Sequence, residues 1–394
     1  MNIGSLFGCA VDLGLPVVLW RLPDDDKIRA IIELSETVSP TKIKFEKNES
    51  GFAFGPFINR GCEETLLIHE DLCYNSLTDE LTDGQKMGDS PEKKRLKNRL
   101  AQALSRKGTD GAKCTTRWYD NVAAPRTQSE KDHYCQLVTD GIEAIKSGRF
   151  QKLVLSRTQV ATLSDDFSPV TMFTRLCRKY PGAFVYLLSI PLIGTWMGAT
   201  PEILVTLNKN NVLSTMALGG TVVIRSEGQP EPKWERKELD EHRFISQYIA
   251  DCFQKVGVEK LTRNGPRTST AGKLFHLKTD FSAQLDKAQA QQEAVTNILD
   301  LLHPTPAVCG IPKGEATLFI TGNEGYNREF YTGFLGPVNI DDESHLFVNL
   351  RCMQLYKNLA ILYGGAGVTS ESNPVKEWEE TEAKIGTLRG VLVS

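Results

Sequence analysis

Two short-spaced carboxylate pairs, a lysine and a glutamate on strands, and a glycine run near an arginine are the residues of this chain whose spacing could do chemistry. Glu238 and Glu241 stand three apart, just ahead of Ile245, Tyr248, Ile249, Cys252, Phe253 and Val256, which recur at helical intervals over Trp234 to Val256. The carboxylates therefore prolong a stripe that is otherwise apolar. A helix leaving the core for solvent would give the same pattern, because its N-terminal dipole favours carboxylates. Glu377 and Glu380 repeat the spacing on a closing helix that opens with Asn373-Pro374 and carries Lys384 four residues after Glu380. Read without His or Cys ligands, two such pairs describe an oxygen-only site for a hard cation, and a substrate-bridging ion points to Mg2+. A surface Glu–Lys pair is the plainer reading of the second.

Lys152 interrupts the apolar strand Phe150 to Thr158 on the face of Val154, and Glu202 follows Gly198-Ala199-Thr200-Pro201 at a strand start. Burial lowers a lysine pKa and raises a carboxyl pKa, the pairing that a general base and a general acid need near neutrality. Spacing alone favours an edge-strand charge over a catalyst for each. Arg351, in the alternating segment Phe347 to Gln354, offers a two-pronged donor for a carboxylate, and Tyr331 adds a hydroxyl. The strand Leu359 to Val368 ends in Gly364-Gly365-Ala366-Gly367, where backbone N–H groups could approach an anion closely, although such runs are most often turns.

The elements that must hold these residues belong to an ordinary globular chain of 394 residues, 40% hydrophobic and 24% charged. With 46 basic against 49 acidic side chains the net charge is −3, so no global field collects nucleic acid or an anionic membrane. Nine cysteines scattered from Cys9 to Cys352 without a Cys-x-x-Cys pair suit a reducing, cytoplasmic setting. The apolar stretch Leu6 to Trp20 has no basic residue before Arg21 and is broken by Asp12 and Pro16, which fits neither a signal peptide nor a membrane span. Residues 1–125 read as short strands and turns (Val17 to Leu22, Phe52 to Ile58, Leu66 to His69) without attached chemistry. A hydrophilic segment, 79–126, includes a helix from Ser90 to Arg106 with Leu96, Leu100 and Leu104 beneath a solvated basic face. From 126 to 394, helices (Tyr134 to Ser147, Ser168 to Tyr180) alternate with strands (Ala183 to Leu188, Thr195 to Val205). There is no P-loop, no dinucleotide fingerprint and no regular βαβ spacing, so the expectation is an α/β (α+β) chain of mainly antiparallel sheets covered by helices.

The ordered motifs resemble those of the chorismate-utilising enzymes, most of all the isochorismate synthases, over roughly residues 129 to 394. They are Lys152-Leu153-Val154-Leu155-Ser156-Arg157, Gly198-Ala199-Thr200-Pro201-Glu202, Ala217-Leu218-Gly219-Gly220-Thr221, Glu238-Leu239-Asp240-Glu241-His242, His303-Pro304-Thr305-Pro306-Ala307-Val308, Tyr331-Thr332-Gly333 and Glu377-Trp378-Glu379-Glu380-Thr381. The resemblance implies a single large domain in which two antiparallel sheets face each other between helices, with the site in the cleft. It implies that Glu241 and Glu380 contact Mg2+ directly and Glu238 and Glu377 through water, the ion holding the ring carboxylate of chorismate. Arg351, Tyr331 and the backbone at Gly365 and Gly367 would take the enolpyruvyl carboxylate, while Gly220, Thr221, His276, Ala307 and Lys384 line the pocket.

By the same resemblance Lys152 is the base that activates water for attack at C2, and Glu202 is the acid that protonates the departing C4 hydroxyl. Ammonia-using relatives generally carry glutamine at the position of Lys152, so lysine implies water. Asn327 and Asn373 stand where acidic residues are usual, and Gly219 replaces the commoner alanine; all three fall outside the catalytic set. The expected activity is Mg2+-dependent, reversible conversion of chorismate to isochorismate by a cytoplasmic monomer, serving menaquinone or siderophore synthesis. Salicylate synthases, which add pyruvate elimination, share Lys152, Glu202, Tyr331 and the four glutamates, and Ala307 leans toward release of isochorismate. A non-catalytic chorismate-fold protein would have lost one of these groups.

Overall fold

The computed structural model describes residues 2–45, 49–59, 63–110, 130–224, 226, 228–258, 260–272, 274–285 and 293–392. The strand Phe184–Ile190 shows why the chain folds in layers. Phe184, Tyr186, Leu188 and Ile190 point to one side and Val185 and Leu187 to the other, and all six are buried. A strand apolar on both faces has to be covered on both.

Ten strands form one sheet, in the order Gly310–Ile311, Lys152–Thr162, Leu359–Val368, Cys352–Leu355, Gly194–Thr200, Phe184–Ile190, Val17–Arg21, Ile28–Ile32, Leu72–Asn75 and Glu80–Asp83. Nine form the other: Thr262–Ala271, Leu274–Gln284, Val212–Val223, Ile203–Leu207, Ser344–Val348, Phe334–Val338, Gly51–Gly55, Thr65–His69 and Pro40–Thr41. Every pairing among the described strands is antiparallel. Aromatic rings fill the space between the sheets, with Phe184 stacked on Phe347 at 4.2 Å and Phe54 on Phe330 at 3.9 Å. Helices Ile3–Asp12, Pro91–Asp110, Pro169–Lys179 and Pro374–Leu392 cover the outer face of the ten-stranded sheet. Arg236–Lys255 and Glu293–Leu302 cover the nine-stranded one.

Three elements differ from the sequence reading. The N-terminus is a helix, Ile3–Asp12, capped by Asn2, whose side chain accepts from the N–H groups of Gly4 and Ser5. Its residues Leu6 through Val11 are all buried, so no polar face marks the helical period. Thr195 to Val205 is two strands in different sheets, parted at Pro201, which has no N–H to donate to a ladder. Phe347 to Gln354 is likewise split: the chain leaves the nine-stranded sheet after Val348 and joins the ten-stranded one at Cys352. Arg351 thus lies in a crossover, with a left-handed φ of 47°.

These two crossovers lie side by side. The Ala199 N–H donates to the Arg351 carbonyl at 3.0 Å and the Val348 N–H to the Glu202 carbonyl at 2.9 Å. The Thr200 hydroxyl donates to the Val348 carbonyl at 2.7 Å. Two stretches far apart in sequence, one carrying Glu202 and the other Arg351, are thereby fixed at the seam between the sheets.

Candidate functional site

At that seam opens a cleft of about 640 Å3, open space at its mouth included. Its lining contains Glu202, Gly220, Thr221, Glu241, His276, Ala307, Tyr331, Arg351, Gly365, Gly367 and Lys384. One wall is the open side of the strand Leu359–Val368. Its neighbour Cys352–Leu355 pairs only as far as Leu362, while on the other side Gly364 to Val368 stays paired to Leu153 through Arg157. Lys384 Nζ donates to the Gly365 carbonyl at 2.9 Å from the unpaired side. A strand residue's N–H shares the side of its C=O, and side repeats every second residue, so the N–H groups of Gly365 and Gly367 face the cleft. A side chain at Gly365 would come within 2.9 Å of the Tyr331 hydroxyl, and one at Gly367 would collide with the Glu241 carboxylate.

Glu202 is buried, and burial pushes its carboxyl from 4.5 up to about 7 even though Lys152, Lys384 and Arg351 favour its anion. The carboxyl is therefore still partly protonated near neutrality and can give that proton away. Arg351 is also buried, its pKa lowered chiefly by desolvation, and its guanidinium donates to the Thr387 hydroxyl at 3.3 Å. On the opposite wall a bulge in the ladder between Val212–Val223 and Leu274–Gln284 leaves Gly220 at φ 67°. His276 Nδ1 lies 3.0 Å from the Gly220 carbonyl, which fixes it as the protonated nitrogen. Burial, with the charges of Arg351 and Lys384, lowers the His276 pKa to about 3, so the ring is neutral and Nε2, buried without a hydrogen-bond partner, is an acceptor.

Lys152 is fully buried behind this lining, its Nζ 2.8 Å from Glu241 Oε1. Glu380 pairs with Lys384 at 2.7 Å. Each of these two carboxylates thus sits beside a lysine. Glu377 is buried, and with Glu380 it lies near enough to Tyr134 to raise that phenol's pKa further above what burial alone does. Lys152 and Glu377 are buried, Glu238 and Glu380 are partly exposed, and none of the four is among the residues that line the cleft. Among the described residues no three His, Cys, Asp or Glu side chains meet closely enough to enclose an ion. The donor chemistry nevertheless suits Mg2+, because the helix-borne groups are all carboxylates and Glu238 Oε2 is buried without a hydrogen-bond partner. Such an oxygen is stabilised by a cation or a water brought to it.

Sequence reasoning gave no role to several wall residues, among them Leu350, Tyr363 and Thr332. Tyr363 lines the cleft and stacks on Tyr331 at 5.1 Å; its place immediately before the glycine run was the available signal. Thr332 lines it at φ 61°, a conformation nothing in the sequence announces. Among the described residues no helix is long and apolar enough to cross a membrane.

Solved structures share this architecture. The menaquinone-specific isochorismate synthase MenF from Escherichia coli superposes with a TM-score of 0.72 at 20% identity, covering 100% of this chain and 91% of that one. Anthranilate synthase component I from Streptococcus pneumoniae gives 0.63 at 17%, covering 86% and 80%. The fold is therefore the two-sheet α/β class that both share. Within it, the model of the family described as chorismate binding enzyme matches residues 66–393, and this chain belongs to that family. Isochorismate synthase EntC of Escherichia coli K12 is 28% identical over 281 residues, 69% of this chain and 70% of its own. Isochorismate synthase MenF of Haemophilus influenzae is 28% identical over 261 residues, 65% of this chain and 59% of its own.

Proposed function

We propose that this protein is an isochorismate synthase that moves the hydroxyl of chorismate from C4 to C2. The observation that carries the reading is Glu202: a buried carboxyl that holds its proton to about pH 7 faces the same cleft as Arg351, Lys384 and the outward N–H groups of Gly365 and Gly367. An acid and a set of anion donors in one pocket suit a substrate with two carboxylates and a hydroxyl to be expelled. The 28% identity to isochorismate synthases supports the same reaction.

In this reading Arg351, Tyr331 and the backbone at Gly365 and Gly367 take the enolpyruvyl carboxylate, and Lys384 adds positive charge at that wall. Lys152 accepts a proton from water as its oxygen attacks C2, and the ring double bonds shift toward C4. Glu202 gives its proton to the C4 hydroxyl, which departs as water. One water enters and one leaves, so the reaction is an isomerisation and runs in both directions. Glu238, Glu241, Glu377 and Glu380 would hold Mg2+, which supplies positive charge for the ring carboxylate. Product analysis tests the reading. Chorismate and Mg2+ with the purified chain should settle to a mixture of chorismate and isochorismate without stoichiometric pyruvate. Steady release of pyruvate and salicylate, or no consumption of chorismate, would overturn it.

A further inference from the structure

Arg328 lies outside the cleft and beyond every role assigned above, yet three strips of the cleft wall converge on it. It is 2% exposed and pairs with the equally buried Glu324, the residue that caps the helix Lys313–Asn323 four positions earlier, through Nε to Oε2 at 2.7 Å and Nη2 to Oε1 at 2.5 Å. Its remaining donors go to backbone and side chain of separate segments. Nη2 donates to the Val154 carbonyl at 2.7 Å, and Nη1 to the Val308 carbonyl at 2.8 Å and the Thr332 hydroxyl at 3.2 Å. All five N–H groups of the guanidinium are thereby used. Glu324 Oε1 also accepts from the Ser156 N–H at 2.7 Å and the Ser156 hydroxyl at 2.9 Å.

Each segment held in this way carries a residue of the site. Val154 is two residues from Lys152 on the same strand, Val308 follows Ala307, and Thr332 follows Tyr331. A buried ion pair is a costly way to secure stability alone, because two charges must leave water, and well-packed apolar groups often do as well. What the pair provides that apolar groups cannot is five fixed directions. We infer that Arg328, locked by Glu324, is a positioning residue that sets the Lys152 strand, the Ala307 turn and the Tyr331 turn at their mutual distances around the reacting ring. The inference rests on the reaction proposed above.

Arg328→Lys keeps a cation beside Glu324 but cannot reach all the acceptors. Its kcat should fall about 10²-fold, the loss expected when reacting groups shift by about an ångström. KM should rise by less than kcat falls, because Arg351 and Lys384 make no contact with Arg328, although Tyr331 and the strand paired with Gly367 are among the parts it sets. Arg328→Ala should lose at least as much kcat, and guanidinium ion added to that variant should restore part of it. A purely structural Arg328 would lower the melting temperature and leave kcat of the folded fraction at the parent value; that result in Arg328→Lys overturns the inference. Should neither variant fold, Thr332→Val removes one acceptor of the guanidinium, and kcat unchanged there overturns it equally. An inactive parent enzyme would instead defeat the proposed reaction, so the two failures are distinct.

Discussion

Replacing Glu202 by glutamine removes a carboxyl that burial holds at about 7 against an ordinary 4.5. At about 1.4 kcal/mol per tenfold, that displacement amounts to ~3 kcal/mol between the neutral and ionised forms. The folded chain binds this proton more tightly than the unfolded chain does, so between the two pKa values stability falls as pH rises. The favourable contribution is complete below pH 4.5 and gone above about 7, where the fold carries a buried anion. Glutamine is neutral throughout. With unfolding entropy of ~2.1 cal/mol/K per residue over 394 residues, ~3 kcal/mol corresponds to about 4 °C of Tm. Parent and Glu202→Gln should therefore be melted side by side, without substrate, from about pH 5 to about pH 8. The Tm of the variant minus that of the parent should climb by about 3 °C across that window, which begins after part of the displacement is already lost. Turnover supplies a second readout: the parent rate should fall as pH passes about 7, and the variant, slower by on the order of 10²-fold, should lack that limb. A Tm difference that stays flat with pH, or a limb that survives in the variant, would refute the argument that Glu202 is the buried acid.

Lys152→Ala should lower turnover by on the order of 10²-fold or more while chorismate binding, read by calorimetry, changes less, since the amine is proposed to meet only water that is losing a proton. A near-parental rate would move water activation elsewhere. Glu241→Gln and Glu380→Gln should each abolish turnover at ordinary Mg2+ and weaken Mg2+ binding measured directly, with an unchanged far-ultraviolet spectrum, because each removes a charge from an oxygen-only set. Gly367→Ala puts a methyl against the Glu241 carboxylate and 3.3 Å from Lys152 Cε, so turnover should drop about tenfold or more in steady-state assays. His276 and His303 are both buried with pKa about 3, so the stability they contribute is whole above 6.5 and is lost as pH falls below it. Urea unfolding should show a loss of about 2 kcal/mol per histidine between about pH 7 and about pH 5, and His303→Asn should flatten its share of that slope.

Local pattern was enough to read the helix that bears Glu238 and Glu241, because Ile245, Ile249, Cys252 and Phe253 repeat at the helical period and are buried together. It was enough for the closing helix, whose Asn373 side chain accepts from the N–H groups of Val375 and Lys376. The ordered motifs likewise pointed to the chorismate-binding family before any fold was in view. Local pattern failed where burial erased polarity, as in Ile3–Asp12, and where a strand changed sheets in mid-run, as at Pro201 and again at Arg351. Periodicity records which side of an element is apolar; it carries no information about which sheet receives the strand. The tertiary structure alone decided that Glu202 and Arg351, 149 residues apart by their numbers, occupy adjacent crossovers and that their surroundings are dry. Ordinary carboxyl and guanidinium groups acquire raised and lowered pKa values from that dryness, which is a property of the packed layers and not of the residues in order along the chain.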